Sequence, residues 1–347
     1  MGGHVYGPVI VDMSGTEGIE KTVSRAAELH AHNRQAPLFP QPVRFNFQLG
    51  AWRFLTLSRQ LVVLESDRDC TPFMDVIKSE QSQNGTDGYL LKGLPAPPDP
   101  SIGQLAPHWD VRTFRRYPRH LIDLTIGFDA YLAKFSGKTR STIKRKIRRF
   151  EELSPGDTVW REFRTPVELD EFFPLAREVS AKTYQERLLN AGLPTSDTFK
   201  KEALERARHG LVRAYILYVR GHAISYLYLP IENGRAVYAY LGYDPAYAEH
   251  SPGTVLQMLA LKCLFDDPDL KVFDFTEGEG QHKQLFSTST QNCEDVLILK
   301  RGSKTAWIAM LHAGFSTAET WLAKCIERLG LKRSVKLLVR RLAQGKM

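Results

Sequence analysis

The run from residue 211 to residue 275 constrains the fold more than any other part of the chain. Three apolar segments, 211–219, 222–229 and 236–243, are separated by Arg220-Gly221 and Asn233-Gly234. Asn-Gly between such segments is a hairpin signal, because both central residues of the favoured turn need positive φ. A loop, 244–253, leads into residues 254–265, where Val255, Leu256, Met258, Leu259, Leu261, Cys263 and Leu264 leave almost no polar face. A helix apolar nearly all round is a buried helix. Residues 271–275 read as a further strand. Ordinary α/β chains alternate strand and helix throughout; a three-strand meander followed by a buried helix and another strand is a more selective order.

The flanks extend this pattern. Residues 158–163 read as a strand, and 166–185 and 196–208 as helices, the second capped by Ser196 with Asp197. After the meander come a short helix at 281–287, a strand at 296–300 and a helical stretch at 304–343 with Lys332, Arg333, Lys336, Arg340 and Arg341 near its end. Before it, the first forty residues lack sustained periodicity apart from a short helix at 22–32. Strands are expected at 43–48, 61–64, 89–92 and 120–125, with a helix at 71–82 opened by Pro72 and a loop through Pro95, Pro97, Pro98 and Pro100. The expected organisation is a poorly structured segment 1–40, a small α+β half 41–127, a main domain 128–302 and a basic helical extension 303–347. The 347 residues suit roughly two domains.

Composition narrows the class. Hydrophobic residues at 43% and charged residues at 25% are ordinary for a globular chain and exclude wholesale disorder. The longest apolar stretches, such as 306–315, fall far short of the roughly 18 residues that cross a bilayer. No secretory signal is visible at the start, and Cys70, Cys263, Cys293 and Cys325 form no CxxC pair. Reduced thiols in a cytoplasmic protein are the expectation. No metal is expected, since His30 and His32 lack a third ligand at suitable spacing.

Residues 128–153 are of another kind. Ile143, Ile147 and Phe150 share one helix face, and Ser154-Pro155-Gly156 stops the helix. Seven Lys or Arg residues crowd the twelve positions from Lys138 to Arg149. Such a stripe suits an anion, and nucleic acid is the rival reading. The absence of interleaved exposed aromatics for base stacking argues against nucleic acid. The basic C-terminal helix is a candidate for peripheral contact with a membrane surface, on a narrow apolar face.

The element order from residue 158 onward is that of the GNAT N-acetyltransferase fold, and three stretches resemble its FemAB-like branch, the CelD/BcsL type. They are the basic stretch from Phe135 to Arg149, the stretch from Tyr243-Asp-Pro-Ala-Tyr247 into Ser251-Pro-Gly253-Thr-Val-Leu256, and Phe273-Asp-Phe-Thr-Glu277-Gly-Glu-Gly280-Gln-His-Lys283-Gln-Leu-Phe286. The likeness covers about residues 128–302. It implies a GNAT-like α/β fold, with residues before 128 as a first, degenerate half. It also implies acyl transfer from acetyl-CoA, held between strands 236–243 and 271–275 with its carbonyl against a backbone N–H of the former. The acceptor would be an amine or hydroxyl of a sugar, polysaccharide or cell-envelope precursor. A Fem-like transferase using aminoacyl-tRNA and a non-catalytic scaffold are the alternatives. Oligomeric state is not legible.

Acyl transfer needs an anchor for phosphates, a base for the acceptor and a donor for the oxyanion. Ser251, Gly253 and Thr254 open the buried helix, where free N–H groups and the helix dipole favour a phosphate. Tyr243 is expected to line the same pocket. Asp274, Glu277, His282 and Lys283 cluster where a strand ends and a short helix begins. Glu277 is the first choice of base and His282 the alternative, with Lys283 pairing with Glu277 or holding an anionic group. Lys283 matches the family's aromatic–Lys pattern, whereas His282 stands where an aromatic is common.

Overall fold

The computed structural model describes residues 40–49, 52–65, 77, 86–98, 100–103, 105, 109–156, 159–183, 192–278 and 280–328. The helices expected at 22–32 and 71–82, the His30/His32 pair, Cys70 and the tail beyond 328 lie outside these residues, save Ile77.

Along the chain come β1 (Pro40–Leu49), β2 (Trp52–Glu65), β3 (Gly88–Pro95), the single turn α1 (Pro100–Gly103) and β4 (Trp109–Asp123). A 3₁₀ turn, Leu124–Ile126, leads to α2 (Phe128–Ala133) and α3 (Gly137–Leu153). Then follow β5 (Trp160–Phe163), α4 (Pro166–Lys182), α5 (Asp197–Arg208), β6 (Val212–Val219), β7 (His222–Glu232), β8 (Arg235–Val237) and β9 (Tyr240–Tyr243). A second 3₁₀ segment, Pro245–His250, precedes α6 (Pro252–Phe265), β10 (Val272–Glu277), α7 (Gln281–Phe286), β11 (Ser289–Lys300) and α8 (Lys304–Arg328).

The strands form one sheet in the order β1-β2-β3-β11-β4-β10-β8-β7-β6-β5, with β9 pairing β7 off this path. β11 lies between β3 and β4, so the sheet continues across the boundary expected at 127/128. Helices cover both faces. On one, α2, α3, α6 and α7 enclose Tyr131, Ile143, Phe150, Leu256, Leu261, Phe273 and Phe275. On the other, α4 and α5 bury Phe172, Phe173, Val179 and Ala203 against β6 and β7. The apolar stripe of α3 packs as its spacing requires: Ile143 and Phe150 are buried and Ile147 packs beside them.

Local chemistry explains the boundaries. Asn233 and Gly234 take φ of 50° and 73°, and Arg220 and Gly221 take 49° and 77°, the positive-φ pairs that tight hairpins demand. Thr165 and Glu168 close a capping box at the start of α4. The strands read at 61–64 and 296–300 begin earlier, at Trp52 and Ser289, and two further strand expectations are corrected. The strand read at 120–125 begins at Trp109, because Arg115, Arg116 and Arg119 face the carboxylates of Asp295, Glu294 and Asp274 on neighbouring strands. A strand of paired charges carries no hydrophobic signature. The single strand read at 236–243 is two. Tyr238 packs on Phe273 and Phe275, while Ala239 and Tyr240 both join the opposite core. Two consecutive residues on one face is the signature of a bulge.

Candidate active site

That bulge opens the sheet. β8 pairs β10 in parallel from Arg235 opposite Val272 to Val237 opposite Asp274, and no further. The Tyr238 N–H still donates to the Asp274 carbonyl, at 2.8 Å. Beyond this point β9 follows β7 and leaves β10 behind, so the strands splay and the Ala239 N–H lies outside the β7 ladder. Thr276 marks the other side of the opening. It takes φ of 63°, a left-handed conformation costly for a β-branched residue, and the register of β10 against β4 shifts around it. Its N–H donates to Oδ1 of Asp274 at 2.8 Å, which holds the turn.

The start of α6 borders this opening. Ser251 precedes the helix with φ of 56° and does not cap it through its side chain. Pro252 has no N–H, and the helical bonds begin with Val255 donating to the Ser251 carbonyl. The N–H groups of Gly253 and Thr254 therefore precede the ladder, as an anion site requires. Lys146 of α3 reaches the same place, donating from Nζ to the Ser251 hydroxyl at 2.9 Å. A Cβ on Gly253 would lie 2.9 Å from Cδ2 of Leu241 and 3.6 Å from the Tyr243 ring. Glycine thus serves close helix–strand packing here. Ser251, Gly253, Thr254 and Tyr243 are brought together as the sequence suggests, and donors plus cation suit the phosphate end of a CoA-type donor.

The second cluster is divided. Asp274 is completely buried and accepts from Nε of Arg119 at 2.7 Å and from a terminal nitrogen of Arg235 at 2.9 Å. It ties three strands together. The Glu277 carboxylate pairs with Arg115, and its backbone carbonyl, not its carboxylate, accepts from Lys283 Nζ at 2.7 Å. Burial pushes the Lys283 ammonium below its ordinary pKa, against the opposing charges of Asp274 and Glu277.

His282 is set apart from this charged group. Its ring lies against Phe286, 4.7 Å between centroids, and edge-on to Phe275. Its Nε2 is 2.7 Å from Oε1 of Gln257. With the amide oxygen facing the ring, Nε2 donates and Nδ1 keeps its lone pair. Burial, and then the Lys283 charge, lower its pKa from 6.5. The Gln257 side chain is fully buried in α6, and its Nε2 finds no partner among the described residues. An orphaned buried donor costs on the order of 1–3 kcal/mol and suits an acceptor supplied by a bound group.

Sequence reasoning did not single out Gln257, Arg115, Arg119 or Arg235, and it read Lys146 as one cation of the basic stripe. Gln257 carried a signal, being the one polar residue between Val255 and Leu261. Next to this site, Arg140, Lys144, Arg145, Lys146, Arg148 and Arg149 line a cavity of about 840 Å³ with Glu152, Glu249 and His250. Among the described residues no three His, Cys, Asp or Glu side chains form a metal-holding group. Of the four cysteines, Cys293 is a buried free thiol and Cys263 a half-buried one.

Residues 137–284 match the family described as acetyltransferase (GNAT) domain. Among solved structures, the C-terminal domain of a candidate lysylphosphatidylglycerol synthetase from Agrobacterium fabrum is similar, with a TM-score of 0.54 at 10% identity, over 85% of this chain and 96% of that one. FemX is similar with a TM-score of 0.50 at 11% identity, over 78% of this chain and 95% of that one. No curated relative matches the sequence. The mixed α/β architecture is GNAT-like, and the likeness of residues 137–284 to that family supports acyl transfer.

Proposed function

We propose that the protein is an acyltransferase that takes its acyl group from acetyl-CoA, with the donor's phosphates at the start of α6. The observation that carries this reading is the convergence of the Gly253 and Thr254 N–H groups and Lys146 beside the splayed strands. We read it as a FemAB-like enzyme of the CelD/BcsL type, on the three stretches that resemble that branch. The acceptor is an amine or hydroxyl of a sugar, polysaccharide or cell-envelope precursor.

His282 is the base. Its neutral Nδ1 takes the proton from the attacking amine or hydroxyl, directly or through water, while Gln257 fixes the ring. The Ala239 N–H, freed from the ladder by the bulge, is the donor for the developing oxyanion. Asp274 holds the three strands in register, and Lys283 closes the turn after β10. Calorimetric titration with acetyl-CoA tests the reading: saturable binding that Lys146→Glu weakens supports it, and no binding to the folded chain refutes it.

A second reading has its own support. The basic cavity on α3 is large and mostly lined by cations, which favours a polyanionic donor such as aminoacyl-tRNA. Filter binding with tRNA at physiological salt separates the two. Submicromolar, salt-sensitive binding lost on charge reversal of Lys144, Arg145, Arg148 and Arg149 would put that donor first.

A further inference from the structure

α8 buries one face and leaves another bare. Ala306 and Ala309 are buried, and with Ile308 and Phe315 they pack on Phe45, Phe47, Leu297 and Leu299. The outer face carries Trp307 at 60% exposure, Leu311 at 60% and Trp321 at 67%. At about 100° per residue these three fall within an arc of about 80°. Gly314 lies between them, and a Cβ placed there would meet nothing within 4 Å. The apolar surface continues onto β2, where Phe54 and Leu55 are each 43% exposed and the Phe54 ring meets Phe315 at 5.4 Å. Two exposed tryptophans aligned on one helix exceed the scattered apolar residues that any surface carries.

Charge selects the occupant. The helix is entered through Lys300, Arg301 and Lys304, all exposed. From residue 300 to the end the sequence holds eleven Lys or Arg against two acids, Glu319 and Glu327. A second copy of the chain docked on this face would bring the exposed Lys300, Arg301 and Lys304 of each copy together across a two-fold axis, at a cost in like-charge repulsion. An anionic lipid surface complements them, and Trp is the side chain that settles at the headgroup level. No helix among the described residues is long and apolar enough to cross a membrane, so the contact would be peripheral.

We propose that α8 docks flat on an anionic membrane surface, with Trp307, Leu311 and Trp321 at the headgroup boundary and Lys300, Arg301 and Lys304 on lipid phosphates. The inference is independent of the acyl-transfer reading, since none of these residues belongs to the candidate site.

The test is co-sedimentation of the full chain with vesicles of phosphatidylglycerol and phosphatidylethanolamine, against vesicles of phosphatidylcholine alone. Binding is expected only to the anionic vesicles, with release at about 0.5 M salt, where screening is nearly complete. Trp307→Ser with Trp321→Ser should weaken binding by about tenfold or more, with an unchanged thermal midpoint. No sedimentation with anionic vesicles, or wild-type binding by the double variant, overturns the proposal. So does light scattering that shows a dimer which the same substitutions dissociate. Tryptophans that acrylamide cannot reach in the free protein would show the face covered by the chain itself, which also overturns it.

Discussion

Nε2 of His282, on α7, lies 2.7 Å from Oε1 of Gln257, in the middle of α6, and with the amide oxygen facing the ring this contact leaves the other imidazole nitrogen as the basic one. The proton sits on Nε2 and the lone pair on Nδ1. Burial first and the Lys283 charge second hold the pKa below 6.5. The base therefore stays neutral into mildly acid solution. The acid limb of kcat/KM should fall below pH 6.5, and His282→Ala should cut kcat by about a hundredfold or more with acetyl-CoA affinity nearly unchanged. Stability carries the same sign: the unfolded imidazole binds a proton before the folded one, so stability falls as pH drops through 6.5 toward the folded pKa. An acid limb above pH 6.5 would contradict this assignment.

Gln257 acts through His282 as a positioning residue. Gln257→Glu places a carboxylate against Nε2 and favours the imidazolium. The acid limb should then move up by on the order of one pH unit, whereas a merely structural role would lower activity equally at all pH values. A pH–rate profile of the variant distinguishes the two outcomes.

Asp274 belongs to the framework. Asp274→Asn leaves Arg119 and Arg235, with side chains 16% and 11% exposed, facing a neutral amide. Breaking a buried pair from one side costs about 3–5 kcal/mol. Urea denaturation should show a loss of this order. A variant as stable as the parent but inactive would instead place Asp274 in the chemistry.

Much of this fold was legible because its signals are local. The hairpins announced themselves through Arg220-Gly221 and Asn233-Gly234, and α6 through apolar residues on every side. The bulge at Tyr238 and Ala239 was hidden, since both residues suit a strand and only the packing of Phe273 and Phe275 draws Tyr238 to one face. β4 was hidden because its arginines are partnered by residues far along the chain, Asp274, Glu294 and Asp295. The candidate residues at the start of α6 were readable from helix-end chemistry. The distinction among Asp274, Glu277 and His282 was not, because all three stand close together in the sequence and only the folded neighbours separate a buried tie, an exposed pair and an oriented imidazole.

The anion site at the start of α6 rests on Lys146. Its Nζ bonds the Ser251 hydroxyl, and the side chain bridges α3 to the helix end. A charge-assisted contact of this kind is worth about 1.5–3 kcal/mol, so Lys146→Met should weaken acetyl-CoA binding by about ten- to a hundredfold. Gly253→Ala serves as a control, because its methyl group meets a flexible Leu241 side chain. It should lower stability modestly and leave the Lys146 contribution intact. Calorimetry on both variants checks the contrast, and equal affinities in wild type and Lys146→Met would remove the phosphate from this place.

Glu277 is the decisive competitor for the role of base. Its carboxylate is paired with Arg115, and the two side chains are 44% and 42% exposed. Arg115 is itself anchored to the buried Asp295, so the pair sits at the rim of a fixed network. An exposed pair contributes at most about 1 kcal/mol. Glu277→Gln also keeps the backbone carbonyl that accepts from Lys283, so the turn after β10 survives the change. The variant should therefore hold kcat within about fivefold of wild type, with the pH profile still set by His282. A loss of about a hundredfold in Glu277→Gln, with His282→Ala retaining turnover, would transfer the proton to the carboxylate. Under that outcome Arg115 would have to release Glu277 when the acceptor binds. The same pair of variants thus separates a base held by an amide in the core from one held by a guanidinium at the rim.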